Sequence, residues 1–229
     1  MNPKDKLIVA LDVATISHAS RLTSQLAGVV TWVKVGSVLF SSGGRQLVQS
    51  LARDGWNVFL DLKLHDVPYQ VSLTVHALAD CGVQLATLHT AGGAKMMEAA
   101  ANAAQGQSLK LLGVTVLTSM DAAELRSVGV EFSPAQAVEL RARLARESGL
   151  DGVVASPLEA RALRAIVGPD FEIVTPGIRP SGVSRDDQRR VATPRAAIAA
   201  GASRIVVGRA ITQSDDPAAA AAAILAELS

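Results

Sequence analysis

Hydrophobic residues along the chain fall into eight short runs rich in Val, Ile and Leu, separated by longer segments with helical spacing. Unbroken apolar runs of this length are typical of strands buried on both faces, as in a parallel sheet. In chain order the runs are KLIVALD, WVKVG, NVFLDLK, QLATLHT, LLGVTVLT, DGVVAS, EIVTPG and RIVVGR. The pattern therefore predicts strands that alternate with helices.

Capping and first-turn residues in the sequence mark the ends of two of the predicted helices. Ser133 and Pro134 form an N-cap and first-turn pair before one amphipathic segment, and Gly149 can close it. Pro217 opens an alanine-rich segment near the C-terminus. Because alanine is the best helix former, this segment predicts a terminal helix and not a low-complexity tail.

The number of repeats decides the fold class. Eight strand–helix units within 229 residues predict a single-domain (β/α)8 TIM barrel over residues 1–229. An open doubly wound sheet is the alternative. It would not need eight units, and no Gly-x-Gly-x-x-Gly follows the first strand.

The composition limits the classes of partner and the cellular compartment expected for the chain. Hydrophobic residues make up 49% of the chain, and 22 basic against 21 acidic residues leave a formal net charge of +1. Neither nucleic acid nor a membrane is expected as a partner, since there is no basic excess and no apolar run approaches the ~18 residues of a membrane span. The N-terminus has no secretory pattern, and the single cysteine, Cys81, excludes an intramolecular disulfide. A cytoplasmic protein is expected.

Charged residues are concentrated at the carboxyl ends of the predicted strands, where the active sites of barrel enzymes lie. Asp12, Lys34, Asp61 and Lys63 fall at the ends of the first three predicted strands, and Asp66 lies just beyond the third. Strand alternation places Asp61 and Lys63 on one face. Single charges at strand ends are often solvated, but alternating Lys and Asp stabilise each other's charged forms. The cluster therefore favours a reactive site.

A second constellation follows the last two predicted strands. Arg179 lies in the loop after the seventh strand, and Gly208 and Arg209 follow the eighth, at a predicted helix start. Loops in these places often bind phosphate through backbone N–H groups, and arginine adds a charge-assisted contact. Together they indicate a phosphorylated substrate.

The remaining polar candidates are weaker. His89 ends the fourth predicted strand, and Thr118 and Ser119 end the fifth. His89 is left open as a functional or a structural residue. His65 is expected to form structural hydrogen bonds, and Cys81 to be a buried small hydrophobic residue.

Taken in order, the motifs resemble those of the orotidine 5'-phosphate decarboxylases of bacterial type. They are ALD, VKVG, DLKLHDVP, VTVLTS, VTPGIRP, DDQRR and VVGR, which span nearly the whole chain. The resemblance implies decarboxylation of orotidine 5'-monophosphate to uridine 5'-monophosphate, the last step of pyrimidine synthesis. It also implies that no cofactor or metal is used, and that the chain forms a homodimer with active sites at the interface.

The resemblance also implies residue roles. Lys63 would donate a proton to C6 of the pyrimidine, Asp61 would lie against the substrate carboxylate, and Lys34 would orient Asp61 and touch the ribose. Asp66 would complete the charged chain in the partner's site. The other implied substrate contacts are Asp12 at a ribose hydroxyl, Thr118 at the pyrimidine, Gln188, Gly208 and Arg209 at the phosphate, and Arg179 in the closing loop.

One departure from the family pattern concerns the partner's ligand. The family commonly continues Asp-Ile-Pro with Asn-Thr, and that threonine reaches across the interface. Here Val67, Pro68, Tyr69 and Gln70 follow Asp66. Val67 is a small change, and Gln70 keeps a hydrogen-bonding group on a longer side chain, so both are expected to bind substrate.

Two other functions are weighed against this one. A metal-dependent sugar-phosphate lyase of the same superfamily would carry a metal-binding glutamate where this chain has Lys34, and an ammonium there disfavours Mg²⁺. A catalytically silent phosphate-binding barrel would lack Asp61 or Lys63, and this chain has both.

Overall fold

Eight parallel strands close into a barrel in the order of the sequence. The computed structural model describes residues 2–180 and 192–228. The strands are β1 Leu7–Ala10, β2 Trp32–Gly36, β3 Asn57–Leu64, β4 Leu85–His89, β5 Lys110–Val114, β6 Gly152–Val154, β7 Glu172–Thr175 and β8 Arg204–Val207. The predicted (β/α)8 barrel is confirmed, and every predicted apolar run overlaps a strand.

One short helix precedes the first strand, and the other helices follow the strands on the outside of the barrel. They are α1 Pro3–Lys6, α2 Ile16–Leu26, α3 Ser37–Arg53, α4 Pro68–Ala79, α5 Ala94–Ala104, α6 Ala122–Ser127, α7 Pro134–Glu147, α8 Ala160–Val167, α9 Pro194–Ala199, α10 Arg209–Thr212 and α11 Pro217–Glu227, with a 3₁₀ turn at Thr90–Gly92. Within the described parts of the chain, no helix has both the length and the apolar character needed to cross a membrane.

The strands are predominantly apolar because both of their faces are buried. In β1, Ile8 and Ala10 pack inside the barrel, whereas Leu7 and Val9 pack outward against the surrounding helices. The barrel interior continues with Trp32, Phe59, Leu85, Leu112, Val174 and Val206. This two-sided burial is the physical reason that unbroken apolar runs marked the strands in the sequence.

The predicted helix ends are confirmed. The Ser133 side chain caps α7 in a capping box with Gln136, and Gly149 follows the helix with a left-handed φ of 82°. Pro217 occupies the first turn of α11, which Asp216 caps. These local signals end helices because they satisfy backbone groups that the helix itself leaves unpaired.

The amino end of the barrel is closed by an ionic cluster. The Glu172 carboxylate lies 3.5 Å from Lys110 Nζ and 3.4 Å from Arg204 Nε. The Arg204 guanidinium also stacks 4.3 Å above the Trp32 ring. All four residues begin a strand, so this cluster lies at the amino end of the barrel, opposite the carboxyl ends of the strands.

Candidate active site

The end of β3 departs from regular strand geometry. The pairing of β3 with β4 shifts between Leu60 and Leu64. Lys63, inside this irregular segment, has φ 53°, and it is the sole non-glycine residue with positive φ among the described residues. Its Nζ nevertheless lies 3.0 Å from Asp61 Oδ1. The predicted meeting of Asp61 and Lys63 is thus confirmed, but a bulge brings them together and not simple alternation.

Lys34 links this pair to β1. It is a buried residue in the middle of β2, and its Nζ lies 2.9 Å from Asp12 Oδ1 and 3.4 Å from Asp61 Oδ2. The four side chains therefore form one continuous row of alternating charge, from Asp12 through Lys34 and Asp61 to Lys63. Each carboxylate in the row contacts at least one ammonium group.

The ionisation of Asp61 follows from its neighbours. Burial acts to raise the pKa of Asp61, but the Lys34 and Lys63 ammonium groups, with hydrogen bonds from Lys63 and Thr87, lower that pKa below its usual range. Opposite charges this close favour the charged form of each partner. Asp61 is therefore a carboxylate at neutral pH although it is largely buried.

Gly36, the last residue of β2, leaves room for the row. A Cβ atom at this position would lie 3.2 Å from Asp12 Oδ1 and 3.3 Å from Lys34 Nζ, closer than ordinary contacts. Gly36 has extended backbone angles that any residue can adopt. Its small size, and not its flexibility, is what the ion pair requires.

A cavity of about 460 Å³ opens above these groups at the carboxyl ends of the strands. Among the predicted site residues, those that line it are Asp12, Lys34, Asp61, Lys63, Thr118, Arg179, Gly208 and Arg209. Apolar lining comes from strand residues such as Phe59, Val114 and Val206. With four cationic and two anionic side chains among its described lining residues, the cavity favours an anionic ligand with an apolar or aromatic portion.

The phosphate-binding candidates lie on the β7 and β8 side of the cavity. Arg179 is buried, and its Nη1 donates to the Ile178 carbonyl oxygen at 2.9 Å. Arg209 begins the four-residue helix α10 and is exposed toward solvent. Gln213, one turn further along, also lines the cavity and was missed from the sequence. Gln188 lies outside the described residues.

Thr118 lines the cavity but does not end a strand. β5 stops at Val114, so Thr118 and Ser119 lie in a turn beyond it. The predicted run LLGVTVLT was therefore too long, because its apolar residues continue past the last ladder pair.

Three predicted residues do not line the cavity of their own chain. Asp66, Val67 and Gln70 are exposed, within a stretch in which every residue from 65 to 70 is exposed. The Asp66 carboxylate accepts a hydrogen bond from the Val67 N–H at 2.7 Å. Asp66 and Val67 precede α4 and Gln70 lies in its first turn, so all three remain accessible to a second molecule.

His89 and His65 pack together beside Lys63. Their rings stack with centroids 5.7 Å apart. Burial, the positive charge of Arg141, and then His65 and Lys63, lower the pKa of His89 to about 4. His89 is therefore neutral at pH 7 and adds no charge to the site.

Thr87 is the second residue that sequence reasoning missed. It lies on β4, buried, and its hydroxyl donates to Asp61 Oδ1 at 2.9 Å. The two-residue repeat of a strand could have identified it, because Thr87 is two residues before His89 and so lies on the same face of β4. A threonine on an apolar strand carries no charge to single it out, and this is why it was overlooked.

Comparison with known proteins yields one consistent family. The model of the "Orotidine 5'-phosphate decarboxylase / HUMPS family" matches residues 5–224. The orotidine 5'-phosphate decarboxylase of Halorhodospira halophila is 50% identical over 97% of this chain and 95% of its own. That of Moorella thermoacetica is 47% identical, with 100% of this chain and 94% of its own covered.

Solved structures agree with the sequence matches. The crystal structure of orotidine 5'-phosphate decarboxylase from Lactobacillus acidophilus superposes with a TM-score of 0.87 at 39% identity. The match covers 97% of this chain and 98% of that one.

Proposed function

The chain belongs to the orotidine 5'-phosphate decarboxylase / HUMPS family, and from this premise we propose that it decarboxylates orotidine 5'-monophosphate to uridine 5'-monophosphate in pyrimidine synthesis. The observation that carries the proposal is the contact of Lys63 Nζ with Asp61 Oδ1 at 3.0 Å, in a cavity that favours an anion. The relatives that cover nearly the whole chain are named for the same activity.

The reaction needs a stabilised negative charge at C6. When the bond from C6 to the carboxylate breaks, CO₂ leaves and the electron pair stays on C6, where the ring stabilises it poorly. A fixed ammonium group beside C6 would stabilise this charge as it develops and then transfer a proton to the carbon. Lys63 is assigned this role, since it ends the charged row and its side chain lines the cavity.

Asp61 and Lys34 set the electrostatics around that step. Asp61 remains ionised between two ammonium groups, so its negative charge would repel the substrate carboxylate. Departure of CO₂ would relieve that repulsion. Lys34 holds Asp61 in place and is assigned the ribose together with Asp12. These roles are proposed on the strength of the contacts and of the family resemblance.

The other end of the cavity is assigned the phosphate. Arg179, Gly208 and Arg209 line it, and Gln188 is assigned to the same group. Slow uncatalysed reactions require roughly 20 kcal/mol of barrier lowering, more than one ammonium supplies. Binding energy from a non-reacting phosphate would therefore contribute, because it can hold the pyrimidine in a reactive position. Thr118 is assigned to the pyrimidine.

A metal-dependent sugar-phosphate lyase is disfavoured by the position of Lys34. Its Nζ lies 2.9 Å from an Asp12 oxygen and 3.4 Å from an Asp61 oxygen. The ammonium thus fills the place between two carboxylates where a divalent cation would have to lie, and its charge repels one.

We propose a homodimer with shared sites on the basis of the exposed segment after β3. Val67 is 60% exposed and Tyr69 is 68% exposed, beside the Asp66 carboxylate. A second copy related by a two-fold axis would bury this apolar surface and deliver Asp66, Val67 and Gln70 to its partner's cavity.

We further propose that residues 1–229 form one domain. We also propose a cytoplasmic location, where the free, buried thiol of Cys81 would stay reduced.

The direct test mixes the purified protein with orotidine 5'-monophosphate and follows the loss of its ultraviolet absorbance. Turnover is expected, and it should survive exhaustive treatment with EDTA. In Lys63→Ala, kcat should fall by at least roughly a thousandfold while uridine 5'-monophosphate still binds. Activity lost on chelation and restored by Mg²⁺ would favour the lyase, and a Lys63→Ala enzyme retaining a few per cent of kcat would remove Lys63 from its role.

A further inference from the structure

We propose that Thr87 is a positioning residue for this reaction, whose hydroxyl joins the Asp61 side chain to the Lys63 backbone and so fixes the two groups relative to each other. The inference rests on the proposed function. Thr87 is not among the described residues that line the cavity, so it would act through Asp61 and Lys63 and not on the substrate itself.

Three hydrogen bonds form a closed ring. The Lys63 backbone N–H donates to Thr87 Oγ1 at 2.9 Å, and the Thr87 hydroxyl donates to Asp61 Oδ1 at 2.9 Å. The Lys63 ammonium donates to the same Asp61 oxygen at 3.0 Å. Each direction is unambiguous, because a backbone N–H can only donate and an ionised carboxylate can only accept.

The ring is needed because β3 is irregular at this point. Pairing with β4 shifts between Leu60 and Leu64, so the ladder bond that would otherwise hold the Lys63 N–H is displaced. Lys63 also has φ 53°, a conformation unfavourable for a residue with a side chain. The Thr87 hydroxyl satisfies the displaced N–H and thereby holds the bulge in which Lys63 turns back toward Asp61.

Burial makes this link effective. Thr87 is 1% exposed and stands on β4, whose Leu85 belongs to the interior of the barrel. A hydroxyl enclosed by packed strands has little freedom to move, and water cannot readily replace it. Thr87 therefore transmits the rigidity of β4 to both charged groups.

The experiment compares Thr87→Val, which keeps the shape and removes the hydroxyl, with Thr87→Ser, which keeps the hydroxyl. A matched control is Thr90→Val, since Thr90 is 2% exposed and its hydroxyl donates to the Val114 carbonyl oxygen at 2.8 Å, a backbone group and not a member of the charged row. Thr87→Val should lower kcat about ten- to a hundredfold, with the affinity for uridine 5'-monophosphate within about threefold of wild type. Thr87→Ser should recover most of kcat, and Thr90→Val should keep wild-type kcat.

A purely structural role predicts a different result. Thr87→Val and Thr90→Val would then lower the melting temperature alike and leave kcat alone, and this outcome overturns the proposal. Failure of Thr87→Ser to recover more kcat than Thr87→Ala would overturn it as well, and that comparison remains available if Thr87→Val does not fold.

Failure of the proposed function is distinguishable from failure of this inference. If the wild-type protein does not turn over orotidine 5'-monophosphate, the function is wrong, and the link is tested by NMR titration of the Asp61 carboxyl. The pKa of Asp61 should rise in Thr87→Val and return in Thr87→Ser, because the Thr87 hydrogen bond stabilises the carboxylate. An Asp61 pKa unchanged by Thr87→Val would contradict the link.

Discussion

At the scale of single residues, the site depends on how neighbours set ionisation. Asp61 keeps its charge in a buried place because two ammonium groups outweigh the cost of burial. His89, on the neighbouring strand β4, is instead kept neutral, since burial and the nearby positive charges lower its pKa to about 4. The same ammonium of Lys63 acts on both, stabilising the anion and disfavouring the imidazolium.

This contrast predicts how stability depends on pH. The pKa of His89 falls from 6.5 to about 4 on folding, so below pH 6.5 the unfolded chain binds a proton that the folded chain does not. His89 should therefore contribute almost no pH dependence above about pH 7.5, where the unfolded histidine is also neutral, and should progressively destabilise the fold as the pH falls from there toward 4. The reference is His89→Asn, which keeps an acceptor for the Ala91 N–H and does not titrate.

The measurement is the free energy of urea unfolding for both proteins between pH 4.5 and pH 7.5, a range chosen to span about two units below and one above the ordinary histidine pKa. Wild type minus His89→Asn should level off toward about pH 7.5 and fall increasingly steeply below about pH 7. A difference that stays constant over the whole range would show that His89 titrates normally in the folded protein.

At the scale of secondary structure elements, the carboxyl ends of β1, β2 and β3 act as one unit. Parallel pairing sets Ala10 beside Lys34 and Gly36 beside Asp61. This register brings a carboxylate and an ammonium from different strands to contact distance. The missing side chain at Gly36 gives them the space to do so.

Gly36→Ala should therefore reduce activity without unfolding the protein. The added methyl group would press on Asp12 and Lys34 from 3.2 and 3.3 Å, so the pair must move by a few tenths of an ångström. A displacement of this size should lower kcat/KM about three- to tenfold, since reacting groups tolerate little misplacement. Steady-state kinetics with orotidine 5'-monophosphate measures the effect.

The matched control is Ser37→Ala, at the next residue, which is exposed at the start of α3. It should keep wild-type kcat/KM. Equal activity of Gly36→Ala and wild type, with both folded by circular dichroism, would mean that the ion pair has more room than the distances indicate.

At the scale of the whole molecule, one barrel carries a nearly complete site. The charged row and the proposed phosphate-binding residues that line the cavity come from a single chain, whereas Asp66 is exposed and is not among the residues that line this cavity. If a partner supplies Asp66, each site joins Lys63 of one chain to Asp66 of the other.

Mixed dimers test this arrangement. Lys63→Ala and Asp66→Asn homodimers should each be nearly inactive. When they are unfolded and refolded together, a mixed dimer holds one site with both defects and one site with none. Random pairing makes about half of the dimers mixed, so roughly a quarter of wild-type activity should return.

The control for mixing is native mass spectrometry of the refolded sample, which must show the mixed species. If mixed dimers are present and no activity returns, Asp66 serves its own subunit, and the shared site is wrong.

The sequence by itself determined the architecture and most of the charged groups of the site. Strands buried on both faces leave apolar runs, helix caps leave Ser, Pro and Gly at defined positions, and both are local signals. Asp12, Lys34, Asp61 and Lys63 were recognisable because charges are rare in such runs.

Tertiary structure alone decided how those groups are held. The hydroxyl of Thr87 meets Asp61 from 26 residues away, and Lys34 meets Asp12 from 22 residues away. Such contacts depend on the register between strands and on a bulge at Lys63, which no local pattern encodes. The physical reason is that an apolar run reports only that a strand is buried, whereas the partner of each polar group is set by the packing of the closed barrel.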